Sequence, residues 1–231
     1  ARGMKRPVRL GWWAGVMALA AAAAARAEDW PGYRRDNARS GATAEKLSLP
    51  LAASWTLEPR HAPEPAWGDP NPRPVGGWFG SIEGRRVHFD DAFQVAVAGG
   101  SLFFGSSADN KVYCLDAATG AERWSFFTGG PVRLAPTVAK GKVYFGSDDG
   151  VATCLQASDG KVVWQFRAAP SGRRVLGHGK LISLWPVRTG VLVDDGTAYF
   201  GAGIFPAEGV YVYAVDAETG KLLWCYDRGG A

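Results

Sequence analysis

Gly100 to Phe127 reads GSLFFGSSADNKVYCLDAATGAERWSFF, and the same sentence is written twice more downstream: GKVYFGSDDGVATCLQASDGKVVWQF from Gly141 to Phe166, and GTAYFGAGIFPAEGVYVYAVDAETGKLLWCY from Gly196 to Tyr226. Each copy opens with G-x-x-(Y/F)-F-G, passes a short loop, enters an apolar run and closes with a tight turn and a Trp. Self-similarity at a period of roughly 40 residues is the mark of a repeat architecture. Trp124 and Trp164 lie 40 residues apart, whereas Trp164 and Trp224 lie 60 apart, so a segment is inserted between the second and third copies.

The physics of one unit is legible. Ser101–Phe104 and Val112–Leu115 are short runs rich in β-branched and aromatic residues, bounded by Gly, Asp and Asn, and they read as strands. Asp116 to Gly120 reads as a turn in which the carboxylate accepts backbone N–H groups and Gly120 supplies the positive φ. The third copy keeps Asp216, Thr219 and Gly220; the second has Gln156, Asp159 and Gly160, so its turn bonds are expected to be weaker or rewired. Trp124, Trp164 and Trp224 each follow that glycine by four residues, an offset suited to a packing peg between neighbouring sheets. A fourth strand is expected before each copy, at Phe93–Ala98, Val132–Val138 and Pro186–Val193. Four antiparallel strands per unit, with blades at about 92–128, 131–167 and 185–227, predict an all-β fold, a β-propeller. Unrelated hairpins in a sandwich would not repeat one Gly-to-Trp offset three times.

The pattern (L/V)-(D/x)-A-x-(T/D)-G-x-x-x-W resembles the tryptophan-docking motif of pyrroloquinoline-quinone-like (quinoprotein-type) propeller repeats, and Asp29-Trp-Pro-Gly-Tyr-Arg34 resembles the start of exported bacterial members. Relatives by this resemblance include quinoprotein dehydrogenases and the propeller lipoprotein of the outer-membrane barrel-assembly machinery. Such rings usually close with seven or eight blades. Three blades and a partial one are visible, so a fragment of a longer protein is expected, with Ser54–Leu57 resembling the strand that would complete the last blade.

The first 27 residues read as a secretory signal: Met4 as start, Lys5, Arg6 and Arg9 as a positive region, an uncharged Leu10–Ala24 stretch and Ala25-Arg-Ala27 for cleavage. The apolar run is short and alanine-rich for a membrane anchor. Residues 28–57 form an N-terminal lead-in with the closing strand, 58–91 an irregular proline-rich loop, and 92–231 the repeats. The expected location is periplasmic or extracellular, with no membrane span after cleavage. Of 26 Lys+Arg and 22 Asp+Glu, five bases and no acid belong to the signal, leaving 21 bases against 22 acids. Nothing in that balance suggests nucleic-acid binding. Cys114 and Cys154 occupy one equivalent repeat position and read as small buried hydrophobes, with an inter-blade disulfide as the alternative.

Strand parity places the B–C and D–A connections of every blade on one face. The irregular segments Glu58–Asp91, Ala168–Trp185 and Gly203–Gly209 are all of these types, so they are expected to project together. They carry the candidate binding residues Trp67, Trp78, Arg85, Arg86, His88, Arg173, Arg174 and His178, as anion clamps and aromatic platforms or as ordinary solvated surface. His88 with Asp90 and Asp91 reads as surface polarity, and the Ser147-Asp-Asp-Gly150 and Asp194-Asp-Gly196 runs as β-turns rather than calcium loops. No catalytic residue, metal set or cofactor is evident. The resemblance implies that a cofactor-binding member would need a stacking Trp, an adjacent Cys–Cys pair, a carboxylate base and calcium, and no adjacent cysteines occur. The reading is a non-catalytic binding scaffold for a protein, small ligand or polysaccharide. The alternatives are a PQQ-dependent oxidoreductase using PQQ with calcium and a carbohydrate-binding propeller using Trp67 and Trp78.

Overall fold

The computed structural model describes residues 27–67, 90–177, 179–204 and 206–228. Three four-stranded antiparallel sheets follow one another along the chain. Blade 1 is β1 (Val95–Ala98), β2 (Ser101–Ser106), β3 (Lys111–Asp116) and β4 (Glu122–Phe127). Blade 2 is β5 (Thr137–Ala139), β6 (Lys142–Gly146), β7 (Val151–Gln156) and β8 (Val162–Arg167). A two-stranded hairpin, β9 (Arg174–Gly177) and β10 (Lys180–Ser183), precedes blade 3, which is β11 (Leu192–Asp194), β12 (Thr197–Ala202), β13 (Val210–Asp216) and β14 (Leu222–Arg228). No α-helix occurs among the described residues, and none of their helices is long and apolar enough to cross a membrane. The architecture is a β-propeller of up-and-down blades.

Within each blade the third and fourth strands meet at a bulge in the same place, with Cys114 opposite Trp124, Cys154 opposite Trp164 and Ala214 opposite Trp224. The two repeat cysteines are free and buried, as small apolar residues behind the Trp; the disulfide alternative is not realised. The first two of these indoles then cross to the next sheet. Trp124 Nε1 donates to the Ala157 carbonyl at 3.0 Å and Trp164 Nε1 to the Ala217 carbonyl at 2.9 Å. The lead-in supplies a third instance, Trp55 Nε1 to the Ala117 carbonyl at 3.1 Å. The turn glycines face these rings: a Cβ on Gly120, Gly160 or Gly220 would lie 2.6, 2.8 or 2.7 Å from Trp55, Trp124 or Trp164 respectively. With φ near +71 to +73 they also occupy a backbone region that other residues adopt only at a cost. Ser54–Leu57 is not a strand among the described residues, but its indole takes the seat that a preceding blade's Trp would take.

The first strands are shorter and later than the hydrophobic runs suggest. Val132 and Val187 leave the ladder and pack on the neighbouring sheet, where a Cβ on Gly105 or Gly146 would come within 2.3 or 2.2 Å of a valine methyl. Two buried clusters result, one around Phe103, Val112, Val132, Phe145 and Leu155 between blades 1 and 2, the other around Tyr144, Trp164, Phe200, Tyr213 and Val215 between blades 2 and 3. The Asp turns also match the reading in detail. Asp116 Oδ1 accepts from the Ala118 and Thr119 amides, Asp216 Oδ1 from those of Glu218 and Thr219, and in the second copy Asp159 takes over by accepting from the Lys161 amide. The Gly160 amide still bonds the Gln156 carbonyl at 2.9 Å, so only the side-chain part is rewired.

Candidate functional site

Described parts of the irregular segments touch one another. His61 Nδ1 lies 2.7 Å from Asp109 Oδ1, and the Glu64 amide donates to Ser107 Oγ at 2.7 Å, joining the link before blade 1 to the B–C loop of that blade. From the hairpin, Lys180 Nζ reaches the Ala108 carbonyl at 3.0 Å and Glu64 Oε2 at 2.8 Å. Arg173 pairs with Glu208 of blade 3's B–C loop at 3.3 Å. Burial works against ionised Asp109, yet hydrogen bonds from His61, Ser106 and Tyr113 outweigh it and hold the carboxyl below its ordinary range. Burial and that carboxylate push Tyr113 up to about 12.

Beneath this face lies a buried ionic network. Asp148, wholly inaccessible, accepts a two-pronged contact from Arg188 (Nε to Oδ1 2.6 Å, Nη2 to Oδ2 2.7 Å) and a third bond from Arg133 Nε at 2.7 Å. Arg133 also donates through Nη1 to Asp90 Oδ2 at 2.5 Å and to the Glu64 carbonyl at 2.6 Å. Asp90 Oδ2 accepts the Ala66 amide at 2.9 Å, while its Oδ1 is buried without a hydrogen-bond partner among the described residues. Two guanidinium groups face two carboxylates, so the cluster is charge-balanced. Dry, bidentate pairs of this kind hold geometry strongly once formed. The backbone adds to it: the Asp148 carbonyl accepts the Ser183 amide at 2.7 Å and the Ser147 carbonyl the Val187 amide at 3.1 Å.

Asp90 is therefore a buried ion-pair partner and not surface polarity, because the link carries it onto Arg133. Asp148 belongs to a turn, as expected, but its carboxylate is a structural acceptor for two blades. Sequence reasoning missed Arg133 and Arg188, although Pro-Val-Arg recurs at 131–133 and 186–188. Of the expected binding residues, Arg173 and Arg174 are exposed at the base of the hairpin, and Trp67 is half-buried at the end of the anchored link. Trp78, Arg85, Arg86, His88 and His178 lie outside the described residues. Of the blade residues, Gly120, Trp124, Gly160, Trp164 and Gly220 sit at the contacts with a neighbouring tryptophan or turn, Asp116 and Asp216 organise their own turns, and Trp224 is 48% exposed on the outer sheet.

Pyrroloquinoline quinone with calcium requires clustered carboxylates and a free aromatic plate. Among the described residues no three His, Cys, Asp or Glu side chains converge, Asp148 is saturated by arginine, and Trp55, Trp124 and Trp164 are engaged with turns. The carboxylates that calcium would need are thus not gathered among the described residues, while Trp224 is left exposed.

The inward-packed repeats define a propeller protein of the PQQ-like class. The chain belongs to the family described as outer membrane protein assembly factor BamB, which it matches over residues 67–227. It is 38% identical over 138 residues to the dehydrogenase subunit of alcohol dehydrogenase (quinone) from Gluconobacter oxydans, covering 53% of this chain and 17% of that subunit. It is 30% identical over 145 residues to polyvinylalcohol dehydrogenase from Sphingopyxis, covering 57% of this chain and 21% of that enzyme. The chain thus spans about a fifth of the length of these relatives. Among solved structures, quinohemoprotein alcohol dehydrogenase from Comamonas testosteroni superposes with a TM-score of 0.55 at 22% identity over 86% of this chain and 27% of that one, a likeness of fold.

Proposed function

We propose that the chain is part of an exported PQQ-like propeller that binds a protein partner through its loop-bearing face and contributes no catalytic residue itself. The observation that carries this is the network of Asp90, Arg133, Asp148 and Arg188, which fixes the links and loops of that face to the blades instead of leaving them loose. Above it stand the exposed residues of the hairpin, with Leu176 and Leu181 opposite each other across its strands and Arg173 and Arg174 at its base. A paired apolar surface beside cations suits an acidic protein surface with an apolar centre. A cell-envelope location fits this reading and the family description.

The relatives favour a second reading, a piece of a quinone-dependent alcohol dehydrogenase whose cofactor residues lie elsewhere in a longer chain. One experiment separates the two. The full-length gene product, expressed with export, is titrated with pyrroloquinoline quinone and calcium while alcohol-dependent dye reduction is followed, and in parallel is used to capture envelope proteins. The scaffold reading expects no turnover, and a captured protein that is lost on combining Leu176→Asp with Arg174→Glu. Stoichiometric quinone binding with turnover overturns it.

A further inference from the structure

The lead-in segment does more than seat Trp55. Residues 29–41 cross the first strands of all three blades in turn. Trp30 exchanges two backbone bonds of 2.8 Å with Val97 of β1, the Pro31 carbonyl accepts the Val138 amide of β5 at 2.6 Å, and Asn37 Nδ2 donates to the Val193 carbonyl of β11 at 2.9 Å and to Asp194 Oδ1 at 3.0 Å. Since β1 approaches β5 and β5 approaches β11, this strap lies along the inner edge of the blades. Arg34, Arg35 and Arg39 hold left-handed backbone angles (φ 55, 76 and 58), a strained conformation that only a closely tied segment sustains.

Above the strap is a cavity of about 150 Å³ bounded by Tyr33, Arg39, Leu134, Ala135, Thr189 and Val191. Arg39 is its one charged wall. The guanidinium is held in place by Nη1 donating to the Tyr33 carbonyl at 2.9 Å and by the Tyr33 ring, 5.4 Å away. Among the described arginines Arg133 is buried and Arg35, Arg39 and Arg188 are half-buried. Arg35 has Glu28, Arg133 has Asp90 and Asp148, and Arg188 has Asp148; Arg39 has no carboxylate partner among the described residues. A partly desolvated cation without a counter-charge is costly, and an anion in the cavity relieves that cost. One guanidinium with no second cation suits a monoanion rather than a phosphate. Leu134, Ala135 and Val191 offer the rest of the ligand an apolar wall. A space of this size holds about six non-hydrogen atoms, judged by an engineered cavity of that volume in another protein that takes benzene.

We propose that this cavity on the inner edge of the blades binds a short-chain aliphatic carboxylate, with its carboxylate on Arg39 and its alkyl tail against Leu134 and Val191. None of the residues around the cavity belongs to the hairpin to which the partner is assigned, so the proposal does not depend on that partner. Butyrate is the test ligand, added to the whole protein and followed by calorimetry and by NMR. Saturable binding is expected, with contacts from the butyrate methyl to the Leu134 and Val191 methyls. Arg39→Gln is expected to weaken binding about tenfold or more, the loss of one charge-assisted bond. Arg34→Gln, altered at an exposed position of the same strap, leaves it unchanged, and n-butanol, which has the shape without the charge, does not bind. Absence of saturable binding, equal affinity in Arg39→Gln, or methyl contacts elsewhere overturns the proposal. The methyl contacts in the unaltered protein decide the matter even where Arg39→Gln fails to fold.

Discussion

Asp148→Ala tests the buried network directly. The carboxylate is wholly inaccessible and accepts three bonds of 2.6 to 2.7 Å from two guanidinium groups whose side chains are 3% and 8% exposed. Removing it leaves Arg188 without a counter-charge and Arg133 with Asp90 alone. Breaking a buried pair from one side costs about 3–5 kcal/mol, because the orphaned cation keeps its desolvation penalty. In a chain of this size each kcal/mol moves the melting temperature by roughly 2–4 °C, so a drop of about 6–20 °C is expected. Thermal and urea unfolding followed by tryptophan fluorescence measure it. The exposed pair Arg123–Asp116, with side chains 41% and 28% accessible, is the control: breaking it by Arg123→Gln should cost far less than Asp148→Ala. The double substitution Asp148→Ala with Arg188→Met should recover part of the loss, since it removes the stranded cation. A fall of under about 1 kcal/mol for Asp148→Ala would refute the reasoning, for it would mean that water reaches these arginines.

Three further outcomes follow from single residues. Trp164→Ala, at a ring 7% exposed, should cost about 3–5 kcal/mol, whereas Trp224→Ala, 48% exposed, should cost far less; equilibrium unfolding of the two proteins compares them. In a thiol-reagent assay Cys225 should react in the folded protein, while Cys114 and Cys154 react only on unfolding, since both are inaccessible and burial pushes the Cys154 thiol up to about 12. The Arg123 guanidinium, then the Thr119 hydroxyl, hold the Asp116 carboxyl down at about 2, so its stabilising contribution is intact above the ordinary carboxylate value and is lost as pH falls towards 2; carboxyl NMR titration should show that midpoint moving upward in Arg123→Gln.

What could be read from the chain alone divides by whether it repeats. The Trp, the turn glycine and the turn carboxylate recur at fixed offsets because every blade solves one problem, how to seat the next sheet, and three solutions written in a row are hard to mistake. The first strands were misjudged because Val132–Val138 and Pro186–Val193 are apolar for a reason other than pairing. Their valines fill the notch left by Gly105 and Gly146, and the ladder begins only afterwards. Periodicity reports burial and not which neighbour supplies it. The hairpin β9–β10 was hidden for a related reason: one short ribbon carries no copy to be compared with. The cavity at Arg39 joins the lead-in to residues about 100 and 150 positions further on, and no local pattern announces such a meeting.

Aligning the repeats shows why the link before blade 1 is more than a connection. Gly105-Ser106-Ser107 of blade 1 corresponds to Gly146-Ser147-Asp148 of blade 2, and Arg133 corresponds to Arg188. At the second junction Asp148 answers Arg188 with a carboxylate from the neighbouring blade. At the first junction that position is Ser107, whose hydroxyl cannot neutralise Arg133. The missing charge comes instead from Asp90, and the Ser107 hydroxyl accepts the Glu64 amide of the same link. The link has therefore taken over a blade's part in the junction. Its anchored stretch is fixed by Arg133, which also bonds Asp148 of blade 2. A partner bound there would meet a surface already ordered, with little conformational entropy left to lose on association.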